Sequence, residues 1–221
     1  MSRIALLSLV CTLAAACTSA TTTKPTTIAA TSITAAPQEQ APEKPEVSVD
    51  PQATRDNLQR ARRQNLARLR MYIDAGVFPK NQVQPGLLNV FQDDEGHLCA
   101  VANLINWDGH TKLIASTTST DNYIVLAQVD QGPLLNWILN SGLTQEEIGM
   151  IQVPYMGEFS MGEDSAAPLL AQQEINDFRE QEIKRLQDTL GVVHTQLVAN
   201  TASSIEVALQ RVVNPTKIAT R

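Results

Sequence analysis

No aromatic residue occurs before Tyr72. That single feature confines any packed core to the later part of the chain. From Thr18 to about Pro51 the sequence is dominated by Thr, Ala, Pro, Gln and Glu. Such a stretch cannot bury enough apolar surface to offset the entropy of ordering it, so residues 17–51 read as a disordered tether. Its scattered prolines, "TTTKPTTIAATSITAAPQEQAPEKPEV", favour an extended and semi-stiff chain. A tether of roughly 33 residues reaches at most about 110 Å when stretched. The roughly 170 residues that follow suffice for one hydrophobic core.

Ahead of the tether stands "MSRIALLSLVCTLAAAC", with Arg3 as the sole charge before Lys24. The apolar run ends near Cys17, short of the ~20 residues a spanning helix needs, and its flanks make residues 1–16 a signal peptide. The segment "LAAAC", Leu13 to Cys17, resembles the lipobox of bacterial lipoproteins through Ala15, Ala16 and Cys17. Ala14 departs from the Leu or Val more usual there. Cys11 competes poorly, because Val10 precedes it where a small residue is wanted. The resemblance implies that Cys17 becomes the first mature residue and carries the lipid. Thr18, in place of the Asp that retains such proteins at an inner membrane, implies the outer membrane of a cell that has one. An ordinary secretory peptide cut nearby is the alternative. Each buried methylene contributes about 0.8 kcal/mol, so several acyl chains hold a protein firmly. On this reading the chain sits on a membrane in the cell envelope and does not cross it.

The whole chain has a formal charge of −6, and loss of Arg3 with the signal peptide makes it −7. An acidic chain argues against a general nucleic-acid role. With Cys11 removed and Cys17 lipidated, Cys99 is the last free thiol, and an internal disulfide has no second partner.

Periodicity gives the layout of the folded part. Leu58, Ala61, Leu66, Leu69, Tyr72 and Ile73 share one face of a helix over Ala53–Ala75. "DAGVFP" stops it: Gly76 suits a left-handed cap, Val77 or Phe78 packs back, and Pro79 blocks continuation. "LLNVFQ" reads as a short strand, "DDEG" as a turn, and the β element near 87–98 as a strand or hairpin. A helix follows from near Cys99 to Trp107, ended by Gly109. "HTKLIASTT" reads as a helix, and "NYIVLAQV" is open between strand and helix. "GPLLNWILNSG" is a helix with Pro133 in its first turn and Gly142 at its cap. Thr144 and Glu147 form a capping box before Ile148. The fold class is thus mainly α with a small β element, a helical domain over 52–157. A flexible linker at 158–168 leads to a long helix or helical hairpin over 169–213. Ile183, Leu190 and Leu197 recur every seven residues, as do Leu186 and Val193. That seam packs on the protein's own core or joins a second chain, and Gly191 or "NTASS" is where it would break.

Three sets of residues could carry chemistry. Cys99 at a helix start would have its thiolate favoured by the helix dipole and by a nearby imidazole. His97 lies two residues away, whereas His110 would sit about 15 Å along the axis. A dyad therefore needs the fold to bring in His97, His110 or His194 as base. Papain-like and transglutaminase-like enzymes also begin a helix at their cysteine, but neither flanking signature is present. The bland reading makes Cys99 a small buried hydrophobe. His97 with Asp93, Asp94 and Glu95 offers metal-ligand types, yet lacks the alternating spacing of a calcium loop, so no metal and no cofactor are expected. Finally, Arg55, Arg60, Arg62, Arg63, Arg68 and Arg70 outnumber Asp56 and Asp74 on the first helix. Arg60, Arg62 and Arg63 could bind anionic lipid or cell wall through bidentate guanidinium contacts. Alternatively, Glu174, Asp177, Glu180, Glu182 and Asp188 of the last helix neutralise them within one domain.

"NLARLRMYIDAGVFPKN", "FQDDEGHLCAVANLI" and "SGLTQEEIGMIQ" together resemble a family of uncharacterised secreted bacterial proteins over about Ala53–Tyr155. The resemblance implies a folded domain and brings no activity with it. The expected role is structural or binding, and the alternative is a Cys99-dependent hydrolase or transferase acting on peptide or cell-wall substrates.

Overall fold

The computed structural model describes residues 50–157 and 168–213. The expected signal peptide, Cys17, nearly all of the expected tether and the expected linker up to residue 167 lie outside the described residues.

The first helix, α1, runs Pro51–Ala75, and both of its ends follow from local chemistry. The Asp50 carboxylate accepts the N–H groups of Gln52 at 2.9 Å and Ala53 at 3.3 Å, while Pro51 occupies the first turn, where no donor is lost. At the other end Gly76 has φ 62° and its N–H reaches Ile73 O at 3.2 Å. Phe78, not Val77, packs back: its ring meets Tyr72 edge-on, centroids 5.2 Å apart.

Four short helices follow: α2 (Ala100–Trp107), α3 (Thr111–Thr120), α4 (Gly132–Asn140) and α5 (Gln145–Ile151). "NYIVLAQV" becomes neither strand nor α-helix but a single 3-10 turn, Leu126–Gln128. Leu126 is buried there, and its N–H is taken by Gln152 Oε1 at 2.8 Å. The capping box on α5 forms as expected.

The β element is small and its pairing is long-range. Strand β1 (Gly86–Leu88) pairs antiparallel with β2 (Tyr155–Gly157), Leu87 opposite Met156. The segment after "DDEG" contributes only an isolated bridge, Gln92 to Leu98. The chain there is committed to a turn, because the Asp93 carboxylate takes N–H groups that a ladder would otherwise use.

Helix α6 (Pro168–Ala199) and helix α7 (Thr201–Val213) form the C-terminal part. The break falls at Asn200, within "NTASS", and Gly191 lies inside α6. Hydroxyls explain it: Thr201 Oγ1 donates to Val198 O at 2.8 Å and Ser203 Oγ to Asn200 O at 3.0 Å, competing with the helical ladder. The heptad seam packs internally. Leu186, Leu190 and Leu197 are fully buried with Leu69, Ile73, Leu104 and Ile148 in the main core, and Ile183 and Val193 lie against it. A smaller cluster of Leu58, Ile205, Ala208 and Leu209 fastens α7 to the start of α1. Among the described residues no helix is long and apolar enough to cross a membrane.

Candidate functional site

Cys99 caps α2, as its sequence position suggests, but its surroundings oppose a nucleophile. The residue is 1% exposed, packed with Phe91, Val101 and Ala102 in the main core. Burial pushes the thiol up to about 12, and the N–H groups of Ala102 and Val101 offset this only in part. The Ala102 N–H lies 3.4 Å from Sγ. Desolvation thus outweighs the helix terminus, and the thiol stays protonated at neutral pH.

None of the three histidines hydrogen-bonds this sulfur. His97 Nδ1 bonds Asp93 Oδ2 at 2.9 Å. His110 is exposed at the start of α3. His194 Nε2 donates to Leu66 O at 3.1 Å, tying α6 to α1. The fold therefore spends His97 and His194 on structure and leaves His110 in solvent.

The acidic turn has a comparable explanation. Asp93 is buried, and its Oδ1 accepts from Glu95 N and His97 N at 3.0 and 2.8 Å, while Oδ2 accepts from Lys80 N at 3.0 Å and the His97 ring. Burial alone would raise its carboxyl; the bonds from His97 and Lys80 win and hold it below the usual range. These donors occupy the oxygens a cation would need. Among the described residues no cluster of His, Cys, Asp and Glu could hold a metal ion.

The arginines of α1 divide sharply. Arg60 and Arg63 are exposed and carry no ion pair among the described residues. Arg62, expected beside them on a surface patch, is 0% exposed. Leu58, Arg62 and Leu66 are spaced by four, so Arg62 projects from the apolar face and must find a partner inside. That partner is Glu147: Nη1 donates to Oε2 and Nη2 to Oε1, each at 2.8 Å. The remaining donors reach Gly142 O at 3.1 Å, Leu197 O at 2.5 Å and Thr201 Oγ1 at 3.3 Å, using all five N–H groups of the guanidinium. Glu147 in turn accepts from Ser204 Oγ at 2.7 Å and Thr144 N at 2.9 Å. Burial would raise the Glu147 carboxyl, but the bonds from Arg62, Ser204 and Thr144 prevail and lower it. Five elements meet at this pair: α1, the α4–α5 turn, α5, α6 and α7.

Gly142 makes the approach possible. Its φ is +74°, and a Cβ there would lie 2.2 Å from Leu58 O and 2.6 Å from Arg62 N. The sequence signal for Arg62 was present in its four-residue spacing from Leu58 and Leu66. The dual use of Glu147, as capping residue and counterion, had no local signal.

Among the described residues no ion pair joins an acidic residue of α6 to an arginine of α1. Arg55 pairs with Glu206 of α7, Arg68 with Asp108, and Arg70 with Asp74. Asp108 also accepts the Trp137 indole N–H at 2.9 Å. Glu182 pairs with Arg185, and Asp188 with Lys184. The α1–α6 contact rests instead on the leucine seam, His194, and Gln187 Nε2 donating to Ile73 O at 2.9 Å. A groove of about 520 Å³ opens beside it, walled by the Arg70–Asp74 pair and Val192.

No family model, curated protein or solved structure matches this chain.

Proposed function

We propose that this protein is a lipid-anchored component of a bacterial cell envelope, outer-membrane in location, whose helical domain has a structural or binding role. The observation that carries the reading is "LAAAC" at Leu13–Cys17, followed by a long stretch without aromatics. That order makes an anchor, a spacer and a domain held away from the lipid surface. The burial of Cys99 and its raised pKa support binding over thiol chemistry. Arg60 and Arg63, exposed on α1, supply the guanidinium groups for an anionic envelope surface, with Arg62 removed from that role.

Fractionation tests the anchor. Wild-type protein is expected in the membrane fraction and Cys17→Ala in the soluble one; retention of the variant in the membrane overturns the anchoring. Alkylation kinetics test the thiol. Native Cys99 should react only on unfolding, whereas rapid modification of folded protein below pH 8 would restore the hydrolase or transferase reading.

A further inference from the structure

A second groove lies between α5 and the α6–α7 turn, with a volume of about 440 Å³, within the range of about 300–1,000 Å³ typical of small-ligand sites. Its floor includes Glu147, whose charge Arg62 already balances. Two other charged side chains line it, Arg211 and Glu146. Neither forms an ion pair with the other or with any charged side chain among the described residues.

Arg211 is the more informative of the two. It is half-buried, and burial lowers its guanidinium from the usual arginine value. Its hydrogen bond goes to a neutral acceptor, Gln145 Oε1. Gln145 is itself fixed, because its Nε2 donates to Val129 O at 2.5 Å and Ala127 O at 3.1 Å beside the 3-10 turn. The amide thus holds Arg211 in place and leaves four of its five N–H groups for another partner. A partly desolvated cation without a counterion favours an anion in the groove. Glu146 limits the kind: a second carboxylate on the same groove opposes a polyanion and favours a ligand that also carries an ammonium. Met150 and Val207 supply apolar wall, with Val207 48% exposed.

We infer that this groove binds a short zwitterionic peptide, its free carboxylate on Arg211, its ammonium toward Glu146 and a small apolar side chain against Met150 and Val207. This deepens and rests on the binding reading of the domain. It is independent of the anchor, so fractionation and peptide titration fail separately.

The test uses the purified full chain in detergent, the tripeptide Lys-Ala-Ala as probe, and saturation-transfer NMR as readout. Saturable binding is expected, weakened about tenfold when the peptide carboxylate is amidated. Arg211→Ala should weaken it by a similar factor, Arg211→Lys by less, because one charge remains and the bidentate fork is lost. Glu146→Gln should weaken the peptide and leave its N-acetylated, Lys-blocked form unaffected. Absence of saturable binding at about 10 mM peptide, which corresponds to less than about 3 kcal/mol, overturns the inference. So does equal binding of the amidated peptide, a comparison on wild-type protein that holds even if a variant misfolds. Displacement by inorganic phosphate at concentrations below those at which the peptide binds would mark a plain anion site and likewise overturn it.

Discussion

Helix α1 serves two interiors that solve burial in opposite ways. Its C-terminal half enters an apolar region, where Leu69, Tyr72 and Ile73 share the main core with Cys99, whose thiol is kept neutral. Its N-terminal half carries Arg62 inward onto a carboxylate and three further oxygen acceptors. A cysteine suggests reactivity and an arginine suggests surface, yet here the cysteine is a buried thiol held protonated and the arginine is the largest fully buried side chain among the described residues. Desolvation penalises charge in both interiors; the thiol meets it by keeping its proton and the guanidinium by pairing with Glu147.

The sharpest way to break the comparison is to make the polar interior apolar on one side only. Arg62→Met leaves Glu147 without its counterion and should cost about 3–5 kcal/mol in chemical denaturation. Adding Glu147→Leu should recover much of that, because the pair as a whole contributes little net stability. A single variant as stable as wild type would show that water reaches the pair. The same variant should invert the acid response. In wild type the lowered Glu147 pKa means stability is full above its unfolded value near 4.5 and falls as pH drops through the folded value. Without Arg62, burial dominates, and acidification toward pH 4.5 should raise the melting temperature instead.

The apolar interior should show the opposite limb. A thiol whose folded pKa is raised keeps its proton longer in the folded chain. Stability is therefore full below the unfolded value near 9.0 and declines as pH rises toward about 12, by about 1.4 kcal/mol per pH unit. Cys99→Ala should flatten the curve between pH 9 and 10, before Tyr72 and Tyr155, whose phenols burial also raises above 10.0, begin to contribute. An unchanged alkaline limb in that window would place the sulfur in solvent. The smallest effect belongs to the exposed pair: Arg60→Glu with Arg63→Glu should change stability by no more than about 0.5 kcal/mol, while lowering retention on anionic vesicles. Retention unchanged by the charge reversal would remove these arginines from any envelope contact.

What could be read along the chain was whatever is decided within a few residues. The α1 stop at Gly76, the Thr144–Glu147 box, the start of α2 at Cys99 and the helix breaker in "NTASS" all depend on neighbours. The pairing of Gly86–Leu88 with Tyr155–Gly157 does not; three-residue strands carry too little alternation to show a period, and their partners are far apart in sequence. The site was legible to the same limit. The flanking Leu98 and Ala100 are compatible with a buried Cys99, while its place at a helix start is compatible with a reactive one. The inward direction of Arg62 is legible in its spacing from Leu58 and Leu66, but its partners are not, because Glu147 and Thr201 arrive from the other end of the chain. Gln145 gave no signal either, since a glutamine that positions an arginine is defined by backbone carbonyls brought to it by the 3-10 turn.

The guanidinium of Arg62 also sets an order of assembly. Its acceptors lie 80 to 139 residues further along the chain, so during synthesis α1 emerges long before anything can enclose its charge. A nascent chain ending anywhere before Thr201 must keep that face of α1 in water or leave the charge incompletely met. The last two helices therefore act as a closing step for the whole domain, and removing them would unlatch the first helix rather than trim the end.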